Sequence, residues 1–498
     1  MAQLDVLIVT PPSRLEVYQN LSNDFAAIEP PVWGGLIAEF LRSRGVAVAM
    51  LDAEALKLTH EQTAERIVAA QPLVTLITIY GQQPSASTQC MPAATKTARL
   101  VAEKGKGRLA TIALGTHPSA LPKRTLEEEP FTYVCQGEGP YTLLELVRAL
   151  KSDGDLGAVP GLWYRDRDGK VRSNTPAPLI SDLDAELPRQ ALDLLDMSLY
   201  RAHNWHCFGN LDSRDSYASL QTSLGCPFKC SFCCINAPFG VNKIRTWSPD
   251  NVIAQIDEMV LKYGVRNIKI PDEMFVLNPK HVLGICDKLI ERGYGLNLWA
   301  YARVDTLNDD AMLDKLKAAG INWLGLGIES GSKYVRDGVT KGRFGNLDIS
   351  AVVRRVRDKG IYVGANYIFG LPDDTLESMQ ETLDLAISLN TEWANFYCAM
   401  AYPGSHLYEM AKEQNLPLPD DAGGPGWIGY AQHSFDCLPL PTATLSAQQV
   451  LDFRDQAFTR YFTNPDYLEM IRKTFGERAM AHVRDMTGHT LPRRHRQN

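Results

Sequence analysis

The chain of 498 residues is predicted to be an α/β protein in three parts. A doubly wound, Rossmann-like N-terminal domain comes first, then a partial (β/α)6 TIM-like barrel, then a small, mainly helical C-terminal segment. Three observations predict this. Short β-branched runs alternate with helical periodicity over residues 1–150, and six further strand–helix units follow over residues 216–405. From about Ser446 the apolar pattern is helical, with no strand between. Repeated strand–helix alternation implies parallel sheets with right-handed crossovers, and the length accommodates two or three cores.

In the first part, strands are expected at 5–9, 47–51, 73–79, 109–114 and 132–134, each an apolar run closed by turn residues. A helix over 35–44 joins the first two, Thr59 with Gln62 forms a capping box for the next helix, and another begins near Tyr141. Ligands of open parallel sheets bind beyond the carboxyl ends of the strands. Here those ends carry Thr10-Pro11-Pro12-Ser13, Thr78 before Tyr80-Gly81, Gly115-Thr116-His117 and Gly137-Glu138-Gly139, with Gly34-Gly35 at the first helix. Small and hydroxyl residues let backbone N–H groups approach a phosphate or an amide-rich ligand. No G-x-G-x-x-G follows the first strand, which disfavours a dinucleotide-binding domain. Residues 151–215 form a connector. It opens with a hairpin at Asp168-Gly169 and ends near His203-Asn204-Trp205-His206-Cys207, a segment that either lines a pocket or packs locally.

The second part, 216–405, has strands expected at 218–223, 267–270, 296–301, 323–328, 361–369 and 393–400, with helix starts at Ser248-Pro249 and Thr375. Barrel chemistry gathers at the C-terminal strand ends. The loop after the first of these strands, TSLGCPFKCSFCCINAP, holds Cys226, Cys230 and Cys233 in a C-x3-C-x2-C spacing. Three thiolates can grip one soft metal centre, but a closed structural zinc takes four ligands. The plainer alternatives are a zinc knuckle or a chance group of core cysteines. Cys234 diverges from its neighbour and is read as a non-ligand. Cys90, Cys135, Cys286, Cys398 and Cys437 are read as packed thiols.

The cysteine spacing and the later strand ends resemble the radical SAM superfamily. Pro271-Asp272-Glu273-Met274-Phe275 stands where that family has a Gly-Gly-Glu element. Gly327-Ile328-Glu329-Ser330-Gly331 resembles its fourth-strand motif, Gly370-Leu371-Pro372 its GLPGET-type turn, and Tyr402-Pro403-Gly404-Ser405 its closing element. The resemblance implies a [4Fe-4S] cluster on Cys226, Cys230 and Cys233, with S-adenosyl-L-methionine (SAM) on the open iron. It further implies that Asp272 or Glu273 holds the SAM amino group and Arg303 its carboxylate, with Tyr301, Glu329 and Asn366 in the same site.

The N-terminal series TPPS, PPVWGGLIAEFLRSRG, GTHPSALP and QGEGPYTLLEL resembles the cobalamin-binding domain of that family's cobalamin-dependent branch. It implies cobalamin at Thr10, Gly34, Gly35, Thr78, Gly81, Gly115, Thr116, His117, Gly137, Glu138 and Gly139. The cobalt-ligating Asp-x-His-x-x-Gly motif of mutases and methionine synthase is absent, and Pro11-Pro12-Ser13-Arg14 takes its place. His117 is the one histidine in a suitable loop, and taken alone it suits hydrogen bonding at a helix start. Together the resemblances imply an enzyme that cleaves SAM to a 5′-deoxyadenosyl radical, with cobalamin as methyl carrier for C- or P-methylation of a small-molecule substrate. A cobalamin-dependent cyclase or rearrangement enzyme is the alternative. A flavodoxin- or ferredoxin-type donor would supply electrons. A methylthiotransferase would need a second three-cysteine cluster, for which Cys90, Cys135 and Cys207 lack the placement. A non-catalytic cluster- or cobalamin-binding protein would cleave no SAM.

A net charge of −7 leaves no overall basic footprint for nucleic acid, and Arg493-Arg494-His495-Arg496 is read as a solvated tail. No apolar stretch reaches the ~20 residues of a bilayer span, and no basic n-region precedes the first strand. Ten cysteines without a disulfide-scaffold pattern suit a reducing compartment. A cytoplasmic protein with neither nucleic-acid nor membrane partners is therefore expected. Residues 406–498 are read as a substrate or lid segment, in which 417–429 either covers the site or connects elements.

Overall fold

Five parallel strands build the first sheet: β1 (Val6–Thr10), β2 (Val48–Asp52), β3 (Val74–Ile79), β4 (Ala110–Gly115) and β5 (Tyr133–Cys135). They belong to a computed structural model that describes residues 4–81, 84–339 and 347–495. Alternate residues of β1 join different cores. Val6 and Ile8 cluster with the helices Val32–Arg42 and Pro140–Ser152, while Leu7 and Val9 cluster with His60–Ala70 and Met91–Lys104. Burial on both faces is why these strands read as unbroken apolar runs. The expected capping box forms, with Gln62 N–H donating to Thr59 Oγ1 at 3.2 Å and Thr59 N–H to Gln62 Oε1 at 2.9 Å. The connector's hairpin, β6 (Leu162–Arg165) and β7 (Val171–Ser173), extends the same sheet antiparallel from β5. The order β2-β1-β3-β4-β5-β6-β7 puts the topological switch point between β1 and β3, where ligands of such sheets sit.

The second sheet starts at β8 (Tyr217–Ser219). The chain then leaves it for a short antiparallel pair, β9 (Ser223–Leu224) and β10 (Arg245–Thr246). The expected strand 218–223 thus breaks after Ser219, because Thr222 and Ser223 turn to hydrogen-bond Asp272. Next come β11 (Asn267–Ile270), β12 (Asn297–Arg303), β13 (Ile321–Glu329), β14 (Tyr362–Phe369) and β15 (Trp393–Cys398). The parallel order β8-β11-β12-β13-β14-β15 leaves β8 and β15 as edges, so the barrel is open on one side. The N-terminal domain meets it there. Tyr18 faces Tyr397 of β15, and Glu29 faces Tyr217 of β8.

The connector plugs the other end of the barrel. The Trp205 ring lies 5.1 Å from Trp299, 5.2 Å from Trp323 and 6.1 Å from Trp393, centroid to centroid. These three rings come from β12, β13 and β15. Residues 203–207 are therefore packing, and their pocket-lining alternative falls away.

Three helices, Ala447–Phe462, Pro465–Phe475 and Glu477–Thr487, finish the chain. Two expectations are corrected in this region. Arg493 is not a solvated tail residue: its side chain is buried, donating to Gln432 O and Ser434 O at 2.9 Å and pairing with Asp455. The stretch 417–429 is a connection, not a lid. Asp420 within it is held by Tyr408, Tyr430 and Arg124, and Trp427 donates to Glu129 at 2.9 Å. Among the described residues no helix is long and apolar enough to cross a membrane.

Candidate active site

The cysteine loop leaves β9 and returns on β10, so its base is fixed by the strand pair. Gly225 starts it at φ +82, and a Cβ there would collide with the Lys243 carbonyl oxygen, so only glycine suits the position. Asn236 then ties the loop to itself. It accepts from Cys226 N–H at 3.1 Å and donates to Cys226 O at 2.8 Å. Ser231 N–H donates to Val339 O at 3.1 Å and Leu407 N–H to Ser231 O at 2.8 Å, which pins the loop to the end of the helix Lys333–Gly338 and the start of the helix His406–Glu413. Cys226 is buried; Cys230 and Cys233 are half-buried.

Burial pushes the Cys233 thiol up, and the adjacent Cys234, Cys230 and Cys226 push it further. Thiols grouped in this way resist ionisation until a metal neutralises them. Among the described residues no group of three or more His, Cys, Asp or Glu side chains is gathered for a single metal ion. A cubane does not require that, since each of its thiolates binds a separate iron. Cys234 packs elsewhere, with its Cβ beside Gly404.

Sequence neighbours Asp272 and Glu273 part ways. Asp272 is fully buried and accepts from Thr222 N–H at 2.7 Å, Thr222 Oγ1 at 2.5 Å and Ser223 Oγ at 2.7 Å. Its carboxyl is raised to about 6 by burial, against these hydrogen bonds. It braces the root of the cysteine loop and is filled, so the expectation that it could hold the SAM amino group is corrected. Glu273 has a buried Oε2 with no hydrogen-bond partner. Burial, with Asp272 adjacent, raises its carboxyl to about 8. An orphaned buried oxygen of this kind accommodates a cationic donor.

Arg303 ends β12, buried, with its guanidinium bidentate on Asp305 at 2.9 and 3.0 Å and 4.1 Å from the Phe228 ring of the cysteine loop. Tyr301 lies against Gly325 of β13, where a Cβ would come within 2.8 Å of its ring. Glu329 ends β13 at φ +68, beyond a register shift. That conformation is strained for a side-chain-bearing residue and is typical of functional strand ends. Asn366 is half-buried on β14, donating to Leu326 O at 3.3 Å and accepting from Asn395 at 2.9 Å. All four sit on strands of one sheet, and Arg303 reaches the cysteine loop through Phe228.

A cleft of about 1270 Å³ of empty space, open mouth included, lies between the two domains. On one side Thr10, Gly34, Thr78, Gly81 and Thr116 line it; on the other, Leu224, Ile235, Phe239 and Glu273. The first group comes from the carboxyl ends of β1 and β3, the segment just after β4 and the helix Val32–Arg42, at and beside the switch point. Thr116 Oγ1 is buried there without a partner, a donor–acceptor suited to an amide-bearing ligand. These residues fit a corrinoid, and the cysteine loop opposite them fits a cluster.

The other predicted cobalamin residues are not among those that line this cleft. Gly35 packs on Gln190, Gly115 on the Ile79 carbonyl, and Gly139 on Leu114. Gly137 accepts from Ser119 Oγ and donates back to it. Glu138 is buried and bound to Arg245 at 2.5 Å. His117 is buried against Trp427, ring centroids 4.4 Å apart, with Nδ1 3.1 Å from Thr88 Oγ1, and burial lowers it to about 3. It does not line the cleft, so it is not placed as a cobalt ligand. The sequence also missed lining residues. Arg14, Tyr18, Glu29 and Trp33 line the cleft, and so does Cys90, which was expected only to pack. The readable signal was a charged residue beside Pro30-Pro31, and Lys269 set within an apolar strand.

The fold and site define a class: a three-thiolate radical SAM barrel that shares its mouth with a corrinoid domain. Comparison with known proteins agrees. Residues 220–386 match the radical SAM superfamily model and residues 21–147 the B12 binding domain model. An uncharacterized methyltransferase of Pyrococcus horikoshii is 30% identical over 84% of this chain and 85% of its own. The anaerobic magnesium-protoporphyrin IX monomethyl ester cyclase of Rubrivivax gelatinosus is 28% identical over 91% and 77%. Among solved structures, the radical S-adenosylmethionine methyltransferase TsrM of Kitasatospora setae, with cobalamin and a [4Fe-4S] cluster, shares the fold at TM-score 0.67 and 16% identity, covering 98% of this chain and 100% of that one. TsrM is also known with tryptophan substrate and a SAM analogue. The chain belongs to the radical SAM superfamily, in the branch that carries a B12-binding domain. It is a radical SAM enzyme whose cofactors are a [4Fe-4S] cluster, SAM and cobalamin.

Proposed function

We propose that the protein is a cobalamin-dependent methyltransferase that alkylates carbon or phosphorus of a small molecule, drawing electrons from a flavodoxin- or ferredoxin-type donor. When bound, the cluster with SAM supplies a 5′-deoxyadenosyl radical and the corrinoid supplies a methyl group. The observation that carries the proposal is the shared cleft, which brings the switch-point loops and the cysteine loop to a single space. The methyltransferase name of the Pyrococcus relative, and the tryptophan bound by TsrM, support methyl transfer to a small substrate.

Within this proposal Cys226, Cys230 and Cys233 hold the cluster. Glu273 accepts from the SAM ammonium, and Arg303, already fixed by Asp305 and Phe228, meets its carboxylate. Tyr301, Glu329 and Asn366 shape the remaining SAM pocket. Thr10, Gly34, Thr78, Gly81 and Thr116 cradle the corrinoid. The apolar wall of the cleft, including Ile235, Pro238 and Phe239, excludes water that would quench a radical.

The test is anaerobic reconstitution with iron, sulfide and hydroxocobalamin, then reduction with SAM. Both 5′-deoxyadenosine and S-adenosylhomocysteine are expected, the second reporting methyl donation by SAM. With candidate substrates, a product heavier by one methyl supports the proposal. 5′-Deoxyadenosine without S-adenosylhomocysteine, and a product lighter by hydrogen, would favour ring closure as in the Rubrivivax relative.

A further inference from the structure

Strand β11 reads Asn267-Ile268-Lys269-Ile270, a lysine within a wholly buried strand. Its side chain is 2% exposed. Register sets it beside Ser219 of β8 and Trp299 of β12, and Nζ stands 5.2 Å from the centre of the Trp299 ring. The lysine therefore points into the barrel, at its open side. Both carboxylate oxygens of Glu29 accept from that ammonium at 2.9 Å. Glu29 belongs to the other domain, and the whole run 27–34 around it lines the shared cleft. Ile28 in the same run exchanges two backbone hydrogen bonds with Arg201, at 3.0 and 3.1 Å. One wall of the cleft is thus a single segment clamped to the barrel by an ion pair and to the connector by a backbone bridge.

A buried ion pair is a poor device for stability, because desolvating two charges cancels most of their attraction and apolar residues of similar volume do as well or better. What it provides is geometry. An ammonium held by two oxygens accepts few alternative placements, whereas an apolar contact at the same point would slide. We propose that Glu29 and Lys269 are positioning residues that register the corrinoid-bearing domain against the SAM-bearing barrel, so that the methyl group can pass from one to the other. This rests on the methyltransferase reading above. Neither residue donates or accepts the methyl group; they fix where the wall 27–34 stands.

The test uses the full chain carrying Glu29→Leu with Lys269→Met, alongside Lys269→Met alone and the shortened but charged Glu29→Asp. Thermal midpoint and amide hydrogen exchange over residues 25–34 are measured before cofactors are added. Bound cobalamin, 5′-deoxyadenosine and S-adenosylhomocysteine are measured after reconstitution. In the double variant, midpoint, cobalamin content and 5′-deoxyadenosine are expected to stay within about twofold, while exchange over 25–34 quickens and S-adenosylhomocysteine release falls about tenfold. Lys269→Met alone leaves the largely enclosed Glu29 carboxylate without its cation and lowers the midpoint, which the double variant restores. Should the double variant fail to fold, Glu29→Asp decides the matter, with the midpoint kept and S-adenosylhomocysteine release reduced. A folded variant with unchanged exchange and unchanged S-adenosylhomocysteine release overturns the proposal. If the unsubstituted chain forms 5′-deoxyadenosine but no S-adenosylhomocysteine, the methyltransferase reading fails instead, and the exchange measurement still tests the pair.

Discussion

At the scale of residues, the sharpest contrast is between Asp272 and Glu273, adjacent carboxyls after β11 that meet different surroundings. Asp272 is consumed by Thr222 and Ser223, whereas Glu273 keeps an unpartnered oxygen in the cleft. The Glu273 carboxyl rises from an ordinary 4.5 to about 8 in the fold. A carboxyl raised on folding contributes fully below its unfolded value, and that contribution is lost as pH climbs through the folded one. Glu273→Gln should therefore raise the melting midpoint of the cofactor-free chain at pH 8 and change it little at pH 5, as followed by calorimetry. The same variant should weaken SAM binding in titration calorimetry, because an amide offers no charge to an ammonium. Among the cysteines, alanine at Cys226, Cys230 or Cys233 should abolish cluster absorbance and 5′-deoxyadenosine, and Cys234→Ala should preserve both. Equal iron content in all four variants would remove the assignment.

At the scale of elements, the cysteine loop works because its frame is rigid before any metal arrives. Gly225→Ala forces a Cβ onto the Lys243 carbonyl at a positive φ. It should cost about 1–3 kcal/mol in chemical unfolding, the range for strain at a special backbone position, and lower cluster occupancy. The connector's short turn Trp205–Cys207 is a second such element. Its tryptophan closes the barrel against three others, so Trp205→Ala should cost about 3–5 kcal/mol, the usual loss for a large buried aromatic, read as a lower denaturation midpoint. The loop at 417–429 behaves as a strap and not a cover, since Asp420 and Trp427 fasten it to the N-terminal domain.

At the scale of the whole molecule, two α/β domains share one cleft, and the C-terminal segment binds both of them. Arg493, in the last turn of the described chain, is anchored on Asp455 and on the carbonyls of Gln432 and Ser434. Removing residues 491–498 would leave the half-buried Asp455 with Arg454 as its remaining ion-pair partner. The expected result is a lower thermal midpoint, with the cluster still assembling because the cysteine loop is braced elsewhere.

Much of this was legible in the sequence because it is local. The cysteine spacing, the parallel α/β alternation and the Thr59–Gln62 cap depend on neighbours a few residues apart, and each stands where the pattern puts it. Thr10, Thr78, Gly81 and Thr116 were readable for the same reason, since strand ends at a switch point follow from strand order. What local pattern does not encode is which way a loop residue faces once a second domain arrives. Glu138, next to two cleft-like glycines, is taken by Arg245 from 107 residues away. His117, the one histidine in a suitable loop, is buried against Trp427, and Glu29 becomes a cleft residue through Lys269 on a distant strand. The sequence by itself determined the chemistry: three thiolates, a barrel and a doubly wound domain. The tertiary structure alone decided which carboxylates and hydroxyls remain open to that chemistry, because a buried polar group is claimed by whichever partner the packing of distant segments brings within hydrogen-bonding distance.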